Sequence, residues 1–287
     1  MSSPEQQPRL GYIGLGNMGA PMAKRLVDWP SGVTIFDLRT EAMTPLAEAG
    51  ARVAGSVAEV GANADLISIT VLDDAQVRDV VAELATTAKP GTVIAIHSTI
   101  ADTTAAELAE ELRQAGIHVV DAPVSGGAGA AEKGQLATMV GADRAVYEQI
   151  KPAFKQWASV VIHAGEPGAG TRMKLARNML TFTAYAAACE AMKLAEAAGL
   201  DLQALGRVVR HTDALTGGPG AIMFLDSTGP LPEGHFLRDA FIHTRELGEK
   251  DLGLALGLGQ TTGVDLPLAQ VALAELAAGL GVPHSKD

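Results

Sequence analysis

The chain has 287 residues, 33 acidic against 22 basic side chains, a formal charge of −11 and 47% hydrophobic residues. Only 19% of its residues are charged, which excludes intrinsic disorder, and the length accommodates two domains of roughly 150 residues each. No cluster of Lys and Arg offers the counterion release that nucleic-acid binding draws on, so nucleic acid is set aside as a partner.

Met1 to Pro8 reads as a short polar tail without the basic start and apolar run of a secretory signal. From Arg9 to about Val161, β-branched runs alternate with Ala/Glu-rich helical stretches. Strands are predicted at Leu10–Ile13, Val33–Phe36, Leu66–Val71, Val93–Ile96 and Val119–Val120. Helices are predicted at Ala20–Val27, Ala75–Leu84 and Thr103–Gln114, with Lys89-Pro90-Gly91 and Ala115-Gly116 as turns. Alternation of this kind implies parallel βαβ units in an open sheet.

After Gly170 the strand signals cease. Helices are expected over about 171–198, 201–210, 239–262 and 266–278, with breaks at Thr216–Gly220 and Ser227–Gly234. A helix from Thr171 to Ala198 would span about 40 Å. It is rich in alanine and nearly apolar all round, so it needs cover from neighbours or from another subunit; a homodimer or homotetramer is expected, against a core helix in a monomer. Its Lys174, Arg177, Asn178, Glu190, Lys193 and Glu196 are too many polar groups for a membrane span. Cys189, the single cysteine, permits no intrachain disulfide and fits a reducing compartment, and the expected location is cytoplasmic.

Gly14-Leu15-Gly16-Asn17-Met18-Gly19 stands directly after a predicted strand and before a predicted helix, the context that a dinucleotide fingerprint requires. Gly14 would make the tight turn, Gly16 would let the backbone approach a pyrophosphate, and Gly19 would permit close packing of helix on strand. Asp37 ends the next strand 23 residues after Gly14, where a carboxylate meets the adenosine ribose hydroxyls and favours NAD. Arg39 follows, and its guanidinium would suit the 2′-phosphate of NADP. NAD is therefore expected, with NADP as the alternative. The fold class is an α/β N-terminal Rossmann-type dinucleotide-binding domain, residues 1–165. An all-α C-terminal domain for substrate and oligomerisation follows, residues 166–287, joined to it by the long helix 171–198.

Two further segments bear on chemistry. Asp121-Ala122-Pro123-Val124-Ser125-Gly126-Gly127 follows a strand, where open α/β sheets keep their ligands, and Ser125 with Gly126 and Gly127 suits a carboxylate. A plain glycine turn is the competing reading. On the long helix, Lys174 and Asn178 are four residues apart and share a face. A desolvated lysine can take a hydroxyl proton while hydride leaves the carbon for a nicotinamide, and Asn178 would hold the oxygen. Against this stands a solvated surface lysine beside a helix-polar asparagine. His211, His235 and His243 lack a repeated ligand spacing, and no metal site is expected.

With these residues assembled, the chain resembles the β-hydroxyacid dehydrogenase family from Leu10 to about Ala278. Four signatures occur in order: the Gly14–Gly19 loop, Asp121–Gly127, the Gly168–Asn178 segment, and Lys250-Asp251-Leu252. The resemblance implies substrate binding by Ser125, Gly126 and Gly127, acid/base catalysis by Lys174, and orientation of the reacting group by Asn178. It also implies contact of Lys250 with the cofactor near the nicotinamide, supported by Asp251, and cofactor contacts from Val71, Leu72, Asp73, Ser98 and Thr99. It places the stretch from His211 to Gly218 and Phe241 near the substrate cleft. The family often has Pro where this chain has Asp73.

The expected reaction is oxidation of a small 3-hydroxy acid such as 3-hydroxyisobutyrate to its semialdehyde, or the reverse reduction, with the hydroxy acid or semialdehyde as small-molecule partner. Alternatives are a semialdehyde or glyoxylate reductase of the same family, an imine reductase, and a non-catalytic dinucleotide-binding scaffold. Retention of Lys174 argues against the last two.

Overall fold

The computed structural model describes residues 7–223, 225 and 228–285. The tail residues Met1–Gln6, and Ser227 at the head of the second break, lie outside them. The chain divides into two compact units between Asn178 and Met179.

In the first unit, β1 (Leu10–Ile13), β2 (Val33–Phe36), β3 (Arg52–Val53), β4 (Leu66–Ile69), β5 (Val93–Ile96) and β6 (His118–Asp121) pair in the order β3-β2-β1-β4-β5-β6, all parallel. The helices between them are α1 (Gly19–Lys24), α2 (Thr40–Glu48), α3 (Val57–Asn63), α4 (Asp74–Ala85) and α5 (Thr104–Leu112). Successive side chains of a strand point to opposite faces, so a strand covered on both faces reads as a continuous apolar run. On β5, Val93 and Ala95 join one core cluster with Tyr12, Phe154 and Trp157, while Ile94 and Ile96 join the other with Ile67, Ile69 and Leu84.

Beyond β6 the sheet departs from the all-parallel expectation. β7 (Val124–Ser125), α6 (Ala128–Glu132), β8 (Leu136–Gly141), α7 (Arg144–Phe154) and β9 (Ala158–Gly165) complete the unit. β8 runs antiparallel to both β6 and β7, and β9 runs parallel to β8. Connection length explains the reversal. The link from β7 to β8 holds only the five-residue α6 between short turns, too little for a crossover of a dozen or more residues.

α8 (Ala169–Ala197) has 29 residues, about 43 Å at 1.5 Å per residue, and the division between the units falls within it. The second unit continues with α9 (Leu202–Thr216), α10 (Arg238–Thr262) and α11 (Pro267–Gly279). Asp201 starts α9 by accepting the N–H groups of Gln203 and Ala204, and Gly217 ends it at φ +88°. α11 is tied to α8 through Glu190, which accepts the N–H of Leu268 at 2.8 Å. Leu231, Phe241, Leu280 and Val282 form a small core here. Phe241 is a packing residue of this core, 5% exposed. No helix among the described residues is long and apolar enough to cross a membrane.

Candidate functional site

In an open parallel sheet, ligands bind beyond the carboxyl ends of the strands, where the strand order reverses. Here the reversal lies between β1 and β4. The Gly14–Gly19 loop follows β1, Asp37 follows β2, Val71–Asp73 follow β4, Ser98–Thr99 follow β5, and Ala122–Gly127 continue from β6. The topology therefore brings every expected site residue of the first half to one edge of the sheet.

The glycines differ in what they permit. Gly14 sits at φ +89°, and a Cβ on it would stand 2.1 Å from the Thr70 carbonyl oxygen. A Cβ on Gly19 would stand 1.9 Å from the Gly14 carbonyl oxygen, whereas a Cβ on Gly16 would meet nothing within 4 Å. Gly14 and Gly19 are needed by the fold; Gly16 borders open space, as a backbone that a pyrophosphate must approach should. Asn17 is exposed and Met18 partly so. Leu15 is another of the expected cofactor-contact residues. Its side chain is buried and its N–H donates to Asp37 Oδ2 at 2.7 Å.

Asp37 Oδ1 accepts the Arg39 N–H at 2.9 Å and its guanidinium Nε–H at 3.3 Å. Partial burial pushes the Asp37 carboxyl up, but the N–H groups of Arg39 and Leu15 and the Arg39 charge outweigh it and hold the group below the usual range. On the β4 loop, Asp73 caps α4 by accepting the Gln76 N–H at 2.9 Å. This structural role accounts for an acidic residue where the family often has Pro. Leu72 is 85% exposed. Ser98 is buried, and its hydroxyl accepts the Val71 N–H and donates to the Val71 carbonyl, each at 2.8 Å. Its hydroxyl thereby holds the loop after β4. Thr99 is exposed beside it.

Lys174 and the β6 loop come together. The Lys174 ammonium group donates to the Val124 carbonyl at 2.5 Å, immediately before Ser125. Lys174 is 9% exposed. Burial pulls its pKa below the usual lysine value, and the nearby Arg177 charge pulls it the same way. Asn178, one turn on, is partly exposed and accepts from Arg177 at 3.3 Å. Gly126 and Gly127 adopt φ +133° and +76°, and both are exposed. A Cβ on Gly126 would clash with Ala130 and Leu136, while Gly127 faces open space. The result is a largely desolvated amine held at the carbonyl that precedes Ser125, followed by the open backbone of Gly127. That arrangement can move a proton next to a held anion.

Two residues to which the sequence assigns no role support this corner. Asp121 has no exposed surface and accepts the N–H groups of Gly168 and Thr171. His97 is buried between β4, β5 and β6: Nδ1–H donates to the Ala122 carbonyl at 2.7 Å, and Nε2 accepts from Ser68 Oγ at 3.0 Å. A histidine closing an apolar strand, and an acid ending another, are the signals that would have found them. A cavity of about 380 Å³ bordered by Arg113, His118 and Asp143 is lined by none of the strand-end site residues.

The family model described as the NAD binding domain of 6-phosphogluconate dehydrogenase matches residues 9–165. A second, described as NAD-binding of NADP-dependent 3-hydroxyisobutyrate dehydrogenase, matches residues 168–282. The chain belongs to the β-hydroxyacid dehydrogenase family. An uncharacterized oxidoreductase of Mycobacterium tuberculosis is 67% identical, over 99% of this chain and 97% of its own length. The crystal structure of a putative oxidoreductase from Mycobacterium avium is 76% identical, with TM-score 0.94, over 97% of this chain and all of that one. The structure of 3-hydroxyisobutyrate dehydrogenase from Mycobacterium tuberculosis with L-serine is 32% identical, with TM-score 0.69, over 95% and 93% of the two chains. An imine reductase from Myxococcus stipitatus, at 18% identity and TM-score 0.77 over 98% and 97% of the two chains, shares the fold alone.

As a β-hydroxyacid dehydrogenase the chain is an NAD(P)-dependent oxidoreductase with a Rossmann-type domain followed by helices. Lys250, the fourth signature, lies on α10 in the second unit, 61% exposed at its side chain and 3.2 Å from Asp251. A surface pair of this kind contributes little to stability.

Proposed function

We propose that the protein oxidises a small 3-hydroxy acid, 3-hydroxyisobutyrate or a close analogue, with NAD, or reduces the corresponding semialdehyde. The observation that carries this reading is the Lys174 amine, buried against the Val124 carbonyl, in the segment that continues into Ser125, Gly126 and Gly127. The dinucleotide fits the strand-end loops: Gly16 leaves room for the pyrophosphate and the Asp37 carboxylate closes the end of β2. When bound, the nicotinamide supplies the acceptor for hydride from the carbinol carbon.

The chain's own residues do the rest. With one N–H on Val124, a neutral Lys174 keeps its lone pair for the substrate hydroxyl proton and returns that proton in the reductive direction. Asn178 holds the reacting oxygen by a neutral hydrogen bond. Ser125 and the backbone of Gly126 and Gly127 receive the substrate carboxylate. Lys250 and Thr99 are read as further cofactor contacts.

We further read residues 1–165 as the dinucleotide-binding domain and 166–287 as the substrate and oligomerisation domain, in a cytoplasmic homodimer or homotetramer. Exposed Met179, Phe182 and Tyr185 on α8, with Val208 and Leu215 on α9, support self-association. Light scattering should return at least twice the 29.5 kDa chain mass.

The test of activity follows reduced-nicotinamide absorbance at alkaline pH with 3-hydroxyisobutyrate, 3-hydroxypropionate, L-serine, glycerate and 4-hydroxybutyrate, each with NAD and with NADP. Turnover of one acid, lost by about 10²–10⁴-fold in Lys174→Ala while NADH still binds, supports the reading. Turnover of cyclic imines and of no acid or semialdehyde would overturn it.

A further inference from the structure

We infer that Asp121 is a positioning residue for the reaction: its side chain fixes the first turn of α8 and so sets Lys174 at the Val124 carbonyl. The inference rests on the reading of Lys174 as the proton-transferring group. Asp121 Oδ1 accepts the Gly168 N–H at 2.7 Å and Oδ2 accepts the Thr171 N–H at 2.5 Å, across 47 and 50 residues of chain. Both are N–H groups at the helix start, which have no partner inside the helix, and a carboxylate there also opposes the positive end of the helix dipole.

The surroundings leave this arrangement no slack. A Cβ on Gly141 would stand 2.1 Å from Asp121 Oδ1, and a Cβ on Gly170 would stand 2.3 Å from the Met139 carbonyl oxygen and 2.9 Å from that of Asp121. Glycine at these two positions lets β6, β8 and α8 close around the carboxylate. Lys174 follows Thr171 by three residues, which places it one turn along nearly the same face. Three residues also separate Asp121 from Val124. The segment Asp121–Val124 therefore grips α8 at two matched points: the carboxylate takes the first turn, and the Val124 carbonyl takes the Lys174 amine.

Asp121→Asn tests the inference, because it keeps the shape but turns one acceptor into a donor facing a backbone N–H. Three readouts are taken on the full-length protein: acetic anhydride labelling of Lys174 against the other lysines by peptide mass spectrometry, NADH affinity, and kcat and KM on the best hydroxy acid. A displaced amine should label several-fold faster, with kcat down about 100-fold, the loss expected when a reacting group is misplaced by about 1 Å. NADH affinity and KM should change little. Unchanged labelling and unchanged kcat in the folded variant, with only a lower Tm, would overturn the inference.

If no hydroxy acid is turned over by the wild type, the functional reading fails while the labelling contrast still decides the role of Asp121. Where Asp121→Asn does not fold, Asp121→Ser leaves no donor forced against the Gly168 and Thr171 N–H groups, since its smaller hydroxyl can accept from one of them. The same readouts then apply, with the same overturning result.

Discussion

The Leu15 N–H donates to Asp37 Oδ2 at 2.7 Å, so the residue that closes the end of β2 also anchors the loop after β1. The other carboxylate oxygen holds Arg39 through its backbone and guanidinium. On the proposed reading, Asp37 would keep the Arg39 cation from a 2′-phosphate and repel that phosphate itself. Asp37→Ser should release Arg39 and raise the NADP:NAD ratio of kcat/KM by about 10- to 100-fold, the scale of one or two charge-assisted hydrogen bonds. Initial rates with both cofactors check this; an unmoved ratio would assign cofactor choice to other residues.

Gly16→Ala and Gly19→Ala should fail in different ways. At Gly16 the new methyl meets open space, so Tm of the ligand-free protein should hold while NADH affinity falls by about tenfold or more, the backbone no longer reaching the pyrophosphate. At Gly19 it meets the Gly14 carbonyl, so Tm itself should fall. Thermal melts and NADH titrations of the two variants separate the outcomes; equal loss of Tm in both would contradict the geometry.

Arg177 contributes to the lowered pKa of Lys174, second to burial. Oxidation needs the neutral amine, so the rate should rise with pH as Lys174 loses its proton. Removing the neighbouring charge in Arg177→Gln should restore part of the proton affinity, and the rising limb of the kcat/KM profile should move to higher pH. A limb that stays in place would mean that another group titrates there.

His97 offers a stability test. Burial pushes its pKa down to about 4 from 6.5, and the Ala122 carbonyl offsets only part of that. The unfolded chain then binds the extra proton first as pH falls, so stability is constant above about 6.5 and declines toward pH 4 by up to about 3 kcal/mol. Urea titrations across this window should show the decline in the wild type, and His97→Gln should be less stable at neutral pH but flatter in its pH dependence. A wild-type profile with no slope there would show the imidazole protonated or hydrated in the fold.

The parts of the fold legible in the sequence are those whose signal is local. β1, β2, β4, β5 and β6 are largely buried and so read as mainly apolar runs. β8, with Ala137 and Thr138 in its middle, owes its place to pairing with β7 and β9, and β3 to two register pairs with β2; neither is written in its own residues. α3 carries a readable signal in Ser56, which accepts the Glu59 N–H, while Glu59 reaches back to the Gly55 N–H. α7 shows buried residues at helical spacing, Val146, Tyr147, Ile150, Ala153 and Phe154, but Pro152 masks it, as Pro45 masks α2.

At the site, the Lys174 and Asn178 spacing was legible because four residues define one face of a helix. What Asp121 does was not, because both its donors lie about 50 residues further along the chain.

The Ser98 hydroxyl engages both backbone groups of Val71. Immobilising one residue's backbone costs about 1–2 kcal/mol of conformational entropy, and for this loop the loss occurs when the protein folds, not when its dinucleotide arrives. On the proposed reading, each contact such a loop made with the dinucleotide would then count fully toward affinity. In a calorimeter, Ser98→Ala should reveal the difference as a more unfavourable binding entropy for NADH, from a loop that must be ordered at every encounter.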